Sequence, residues 1–184
     1  TLLNEDDDSQ LVGEVEMDET WIGGKVRNSR HLTKAQAIQK GMREKTMVFG
    51  AVERGGRVRA KVIPNRSTAT LSAAAREFVL PASMVYTDEW PAYGPVGARY
   101  RAHRRVAHKA QVYVDGDAST NTIEGFWSLV KNGIRGTYHS VSAAYLPAYL
   151  DEFSWRYNHR HDDRPMFWTI LDQVVQTAAV AAQA

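Results

Sequence analysis

Two hydrophobic periods divide this chain, and the division restricts its fold more than any other feature. Up to about residue 105 the apolar residues come mostly in short strand-like runs; from Thr120 onward they come at helical spacing. The first run begins at Gly13, with Val15, Met17 and Trp21 on one side and Glu14, Glu16, Asp18 and Thr20 on the other, and Gly23-Gly24 ends it. Residues 46–53 and 57–63 are two further runs, and Arg54-Gly55-Gly56-Arg57 between them is a hairpin signal. Pro64-Asn65 stops the second of these. Ser67 then reads as the N-cap of a helix carrying Leu71, Ala74, Ala75 and Phe78, which Pro81 ends. Residues 83–87 form a short, nearly continuous apolar strand of the kind buried in the middle of a sheet, and residues 99–105 form another, strongly basic one. A short helix is also expected from Thr33 to about Gln39.

The second half has a different rhythm. Ile123, Trp127, Val130 and Ile134 make one helical stripe. Leu146, Tyr149, Leu150, Phe153 and Tyr157 make another, with Pro147 tolerated only in a first turn. A last helix is expected from about Pro165 through Ile170 and Val174. The order predicts a mixed α/β domain with a central sheet covered by helices. With 184 residues the chain suits one such domain, spanning 11–177, with an acidic linker or arm at 1–10 and a frayed alanine-rich tail at 178–184.

Composition excludes several chemistries. There are no cysteines, so a disulfide framework, a thiolate zinc site and a cysteine nucleophile are all ruled out for these residues. No stretch approaches the ~20 apolar residues of a membrane span. No signal peptide is visible, and a cytoplasmic, nucleoid-associated protein is expected.

The formal net charge of +2 conceals a strong segregation. Residues 1–20 hold eight acids and no base; residues 24–45 hold seven bases against Glu44 alone; residues 99–109 hold five bases and no acid. Two basic segments in a near-neutral chain suggest a footprint for a polyanion, although solvated loops would read the same way.

Three acids stand out by position. Asp18 lies near the end of the first strand, Asp88 just past the strand at 83–87, and Glu124 in the first turn of a helix. Carboxylates at strand ends sit on rigid supports, where ligands of α/β folds often bind. Three that converge repel one another unless cations lie between them. Oxygen donors without a His/Cys cluster select magnesium or manganese over zinc, and a pair of such ions can serve phosphodiester chemistry. Each acid also has a plain structural reading. Asp18 fits a solvated strand edge, Asp88 a turn before Pro91, and Glu124 a capping box with Asn121. On the Glu124 helix, Glu124, Ser128, Lys131 and Arg135 share the face opposite the apolar stripe, which suits metal at one end and DNA phosphate at the other, or simply a wet face.

The segments VEMDETWIGGK, VYTDEWPAYG and NTIEGFWSLVKNGIRGTYHSVS, followed by YLDEFSWRYNHR, resemble the DDE transposases of bacterial insertion sequences, and more narrowly the ISXO2-like transposase domain. The resemblance runs from about Leu11 to about Leu171, and the 35 residues between Asp88 and Glu124 are also typical of such enzymes. It implies a ribonuclease-H-like mixed sheet flanked by helices. It implies Asp18, Asp88 and Glu124 as a catalytic triad holding two magnesium or manganese ions. It implies hydrolysis at transposon ends followed by strand transfer of the freed 3′ hydroxyl into target DNA.

Lys131 matches a basic residue expected on transposon-end DNA. Arg135, Lys25, Arg27, Arg30, Arg101, Arg104 and Arg105 are expected on the DNA backbone, and Asn121 and His139 match motif positions of accessory standing. Trp21, Trp90 and Tyr93 lie beside the acids, where aromatic rings can stack on an unpaired base, with core packing expected for at least Trp21. DNA, and a homodimer or larger assembly on it, are the implied partners. Two other readings are a structure-directed nuclease that cuts without joining, and a catalytically silent DNA-binding remnant. Members of the group usually carry an N-terminal DNA-recognition region, sometimes a zinc ribbon; without cysteine, no such ribbon is expected within these residues.

Overall fold

The structure is a computed structural model that describes residues 9–23, 33, 36, 45–106 and 119–181. Residues 1–8 of the acidic arm, nearly all of the basic segment 24–45, residues 107–109 of the second basic segment and the final residues 182–184 lie outside the described residues. Of the helix expected after Thr33, only Thr33 and Gln36 are described. They exchange hydrogen bonds, Thr33 N–H to Gln36 Oε1 at 2.9 Å and Gln36 N–H to Thr33 Oγ1 at 3.3 Å.

Five strands build one sheet: β1 (Glu14–Gly23), β2 (Lys45–Glu53), β3 (Val58–Val62), β4 (Met84–Thr87) and β5 (Ala102–Arg105), in the order β3-β2-β1-β4-β5. β1, β2 and β3 form an antiparallel meander, in register from Val15 opposite Glu53 to Gly23 opposite Lys45 and from Val48 opposite Val62 to Val52 opposite Val58. β4 joins β1 in parallel, Val15 opposite Val85, and β5 joins β4 in parallel, Val85 opposite His103. The expected hairpin is present. Gly55 takes a φ of 75°, Glu53 N–H donates to Arg57 O at 2.8 Å, and a Cβ on Gly56 would lie 2.4 Å from the Glu53 carboxylate.

The middle strand is β1. The apolar run at 83–87 is an interior strand between β1 and β5, so its expected place at the centre is corrected by one position. That difference matters for the polar side of β1. On the polar side of this interior strand Glu16 is fully buried, while Asp18 and Thr20 are half-buried.

The described helices are α1 (Thr68–Phe78), α2 (Tyr93–Gly97), α3 (Asn121–Gly133), α4 (Leu146–Asn158) and α5 (Met166–Ala181); α1 and α2 pack on one face of the sheet, α3 and α4 on the other. Ser67 caps α1, its hydroxyl accepting from Thr70 N–H at 3.3 Å as its sequence position suggests. One face of the sheet, with Val15, Met17 and Phe49, packs on Leu71 and Phe78 of α1 and on Tyr93 of α2. The other, with Ile22, Val48 and Val52, packs on Ile123, Trp127 and Val130 of α3. β2 therefore feeds both cores from alternate residues. Gly50 on its α3 face is forced: a Cβ there would lie 2.6 Å from the Trp127 ring.

α3 ends at Gly133 in a five-residue π-type turn, Ile134–Tyr138, which carries Ile134 into the core. Pro147 lies in the first turn of α4. At the other end of α4, Asn158 acts as a short piece of strand: its Oδ1 accepts from Val58 N–H at 2.7 Å and its Nδ2 donates to Val58 O at 3.1 Å. This covers part of the β3 edge, which would otherwise be open to pairing with another chain. α5 continues to Ala181. Among the described residues no helix is long and apolar enough to cross a membrane.

Candidate active site

Even-numbered residues of β1 share one face, and that face meets α3. Glu16 is fully buried there. Its carboxylate accepts from the N–H groups of Thr122 at 2.8 Å and Ile123 at 3.1 Å, and from the Thr122 hydroxyl at 3.0 Å. Arg54, from the β2–β3 hairpin, donates to it through Nε at 3.0 Å and reaches Ser119 O at 2.9 Å. The free N–H groups at the start of α3 are thus satisfied by a residue of β1, and the negative charge sits at the positive end of the helix. The capping box expected at Asn121 is not formed. The N-cap is Thr120, which makes no side-chain cap bond, while Asn121 is already helical and exposed. Sequence reasoning missed Glu16 in this role. Its signal was its spacing, two residues before Asp18 on the same strand face.

Asp18 follows, paired across the ladder with Gly50 in the middle of β1 rather than near the strand's end as expected, because the strand runs on to Gly23. Burial, chiefly, and the neighbouring charges of Glu19 and Asp88, with a smaller contribution from Glu124, raise its pKa from 3.8 to about 7. Asp88 lies directly after β4, and its Oδ1 accepts from Trp90 N–H at 2.9 Å. Glu124, in the first turn of α3, accepts from the Thr120 hydroxyl at 2.9 Å and is exposed. The three acids expected to act together are therefore neighbours close enough for Asp88 and Glu124 to disfavour charge on Asp18. The donor set, all carboxylate oxygen, fits a hard divalent cation. Among the described residues, however, no three His, Cys, Asp or Glu side chains form a ready-made metal-holding group. Asp88 and Glu124 each engage a donor within their own segment instead.

Lys131 stands close by. Its ammonium donates to Thr20 Oγ1 at 2.7 Å, two residues beyond Asp18 on the same face. Burial lowers its pKa, the charge of Asp18 opposes that shift, and Arg135 and Lys45 reinforce it. Two turns of helix after Glu124, the side chain thus folds back against β1. Arg135 is exposed in the π-type turn beyond the end of α3.

The opposite face of β1 carries a second group. Glu19 Oε2 accepts from the hydroxyl of Tyr93 at 2.6 Å, and Tyr93 is fully buried. Burial raises the pKa of Glu19, the Tyr93 bond lowers it, and Asp88 raises it further. Tyr93 N–H also donates to Trp90 O at 3.0 Å, so the Glu19–Tyr93 bond ties the loop bearing Asp88 to the strand bearing Asp18. Neither residue was singled out for this tether. Trp90 is half-buried with the Arg66 guanidinium 3.7 Å from its ring centroid. Trp21, expected in the core, is 45% exposed, because it lies near the end of β1 beyond the reach of α1 and α2.

The basic residues divide by position. Arg104 and Arg105 lie on the edge strand β5, opposite Tyr86 and Thr87, and both are exposed. Arg105 donates to Glu89 O, beside Asp88. Arg101 is exposed just before β5, at its other end, where its N–H donates to Pro81 O at 2.9 Å. Between them His103 meets the Thr87 hydroxyl at 2.9 Å, and burial lowers its pKa. His139 is exposed at the end of the π-type turn with a left-handed φ of 58°. Lys25, Arg27 and Arg30 lie outside the described residues.

Strand order and directions define a ribonuclease-H-like core with acids gathered at its middle strand. A family model described as an ISXO2-like transposase domain matches residues 10–158, and the chain belongs to that family. A protein of Haemophilus influenzae described as an uncharacterized transposase-like protein is 29% identical over 119 residues, covering 65% of this chain and 94% of that protein. A chain from a simian T-cell lymphotropic virus intasome, solved with the PP2A regulatory subunit B56 gamma, matches with a TM-score of 0.46 and 15% identity. That match covers 85% of this chain, which spans 55% of the length of the viral one.

Proposed function

We propose that this chain is the catalytic core of a DNA transposase, with Asp18, Asp88 and Glu124 as the carboxylates that hold two magnesium or manganese ions. The observation that carries this reading is the coupling at Asp18, whose charge is disfavoured by burial and by both other acids. A cation placed among these groups relieves that repulsion. The ions, when bound, supply activation of the attacking oxygen and stabilisation of the leaving oxygen at a phosphodiester.

The chain's own residues do the rest. The β1 backbone holds Asp18 on the most enclosed strand of the sheet. The Glu16 cap sets the start of α3, and with it Glu124. The Glu19–Tyr93 bond sets the loop of Asp88. Lys131 and Arg105 place positive charge beside the acids, where a DNA phosphate approaches. No covalent enzyme intermediate is needed when positioning and charge neutralisation lower the barrier.

The test is Asp88→Asn, assayed on a labelled duplex carrying the element's end, with magnesium or manganese. Cleavage should fall by at least about a hundredfold while thermal stability and duplex affinity stay near wild type. Unchanged cleavage would remove the triad. Supplying a pre-cleaved end with a free 3′ hydroxyl separates transposase from nuclease: joined products support strand transfer, and cutting without joining supports the narrower activity.

A further inference from the structure

Away from the acids, at the end of the sheet where β4 begins, lies a cavity of about 430 Å³ lined by Gln10, Arg76, Val79, Pro81, Arg99 and Tyr100. Pro81 precedes β4 and Asp88 follows it, so at ~3.3 Å per residue the strand alone puts at least ~10 Å between this cavity and the acids. The volume lies within the ~300–1,000 Å³ range of small-molecule sites.

Its polar lining consists largely of donors. Arg76 comes from the last turn of α1 and Arg99 from the turn after α2. Among the described residues neither guanidinium is paired with a carboxylate; the nearby Glu77 is held by Lys61 at 2.6 Å. Arg76 Nε donates to Ser72 O at 3.1 Å, which orients its planar fork. Gln10 donates its side-chain amide to Arg76 O and closes one wall. Tyr100 is 9% exposed, and its hydroxyl has no hydrogen-bond partner among the described residues. A buried hydroxyl is rarely left unpaired unless a missing group completes it. Burial raises the pKa of that hydroxyl, and the charges of Arg99 and Arg76 oppose the shift.

We propose that this cavity is a second anion site that takes a phosphate group, with Arg76 and Arg99 as the fork and the Tyr100 hydroxyl as a third donor. Guanidinium pairs match the geometry of phosphate oxygens. The apolar walls of Val79 and Pro81 reduce screening of the charge. The phosphate can belong to a DNA backbone or be free inorganic phosphate, and the chemistry is common to both. The site does not depend on the metal-holding acids.

The experiment uses the full chain and two probes. Inorganic phosphate is titrated against chloride at constant ionic strength, with melting temperature as the readout. A fluorescein-labelled duplex is titrated by anisotropy over a range of salt. Wild type should be stabilised by phosphate, through linkage, and Arg76→Gln/Arg99→Gln should lose that response. Tyr100→Phe removes only the unpaired oxygen. It should melt at or above the wild-type temperature without phosphate, yet respond to phosphate several-fold more weakly, a combination that a merely structural role does not produce. If the phosphate is a DNA phosphodiester, the double variant also binds duplex several-fold more weakly, with a log–log salt slope shallower by about 0.9. If it is free phosphate, duplex affinity is unchanged while the phosphate response is lost. Wild type and both variants responding identically to both probes overturns the site, as does a Tyr100→Phe protein that titrates phosphate like wild type.

Discussion

At the scale of single residues, Asp18 concentrates the physics of this protein. It sits on the middle strand with its charge opposed by burial, by Glu19 and Asp88, and to a smaller extent by Glu124. Its pKa is about 7 in the folded chain against 3.8 as the ordinary value, so between these pH values the folded state holds a proton that the unfolded state has released. Stability therefore falls as pH rises through that window, and the full penalty stands above pH ~7. Asp18→Asn removes the penalty. At pH 8 that variant should melt above wild type, by an amount on the order of 2 kcal/mol in stability, and the two should converge near pH 4. Thermal melts at both pH values check this. Millimolar magnesium at pH 8 should raise the melting temperature of wild type and leave that of Asp18→Asn nearly unchanged.

At the scale of elements, α3 is the part on which the site depends most. Its apolar stripe, with Ile123, Phe126 and Val130 all but fully buried, contributes roughly 1.5–3 kcal/mol for each such side chain. Its start is held by Glu16, and its middle passes over Gly50 on the strand below. Glu16→Ala frees two N–H groups at the helix start and takes a carboxylate from Arg54, which keeps Glu14 at 2.9 Å. Urea unfolding should show a loss of about 3–5 kcal/mol. Gly50→Ala must displace the Trp127 ring, which a Cβ would approach to 2.6 Å, and should lose about 1–3 kcal/mol. Because Glu124 rides on α3, the Gly50 variant should weaken magnesium stabilisation more than its own loss of stability implies. Equal effects on both would separate α3 placement from the metal site.

At the scale of the whole molecule, charge is arranged rather than balanced. Acids gather at β1, while Lys131 and the β5 edge with Arg104 and Arg105 provide positive charge beside them. Duplex binding should weaken steeply with salt, and Lys131→Ala should make the log–log slope shallower by about 0.9, as expected for one phosphate contact. A flat salt response in wild type would remove this surface as the DNA footprint.

Much of the architecture was legible in the sequence because it is written in local terms. The β2–β3 hairpin follows from Arg54-Gly55-Gly56-Arg57, α1 from Ser67 and its apolar spacing, and α3 from the stripe through Trp127. Each depends on neighbours a few residues apart. Asp88 and Glu124 were legible as positions at a strand end and a helix start, whereas Asp18, expected near the end of the first strand, lies in the middle of β1, and local terms alone did not bring the three together. What the sequence by itself determined, then, was the periods, the turns and the candidate carboxylates. Only the tertiary structure decided that β1 is the middle strand, that Glu16 caps a helix more than a hundred residues away, that Trp21 is left half-exposed and that Asn158 covers an edge. The physical reason is range. Periodicity and turn chemistry act along the chain, whereas burial, capping in trans and the coupling of acids act between segments that meet only once the sheet has formed.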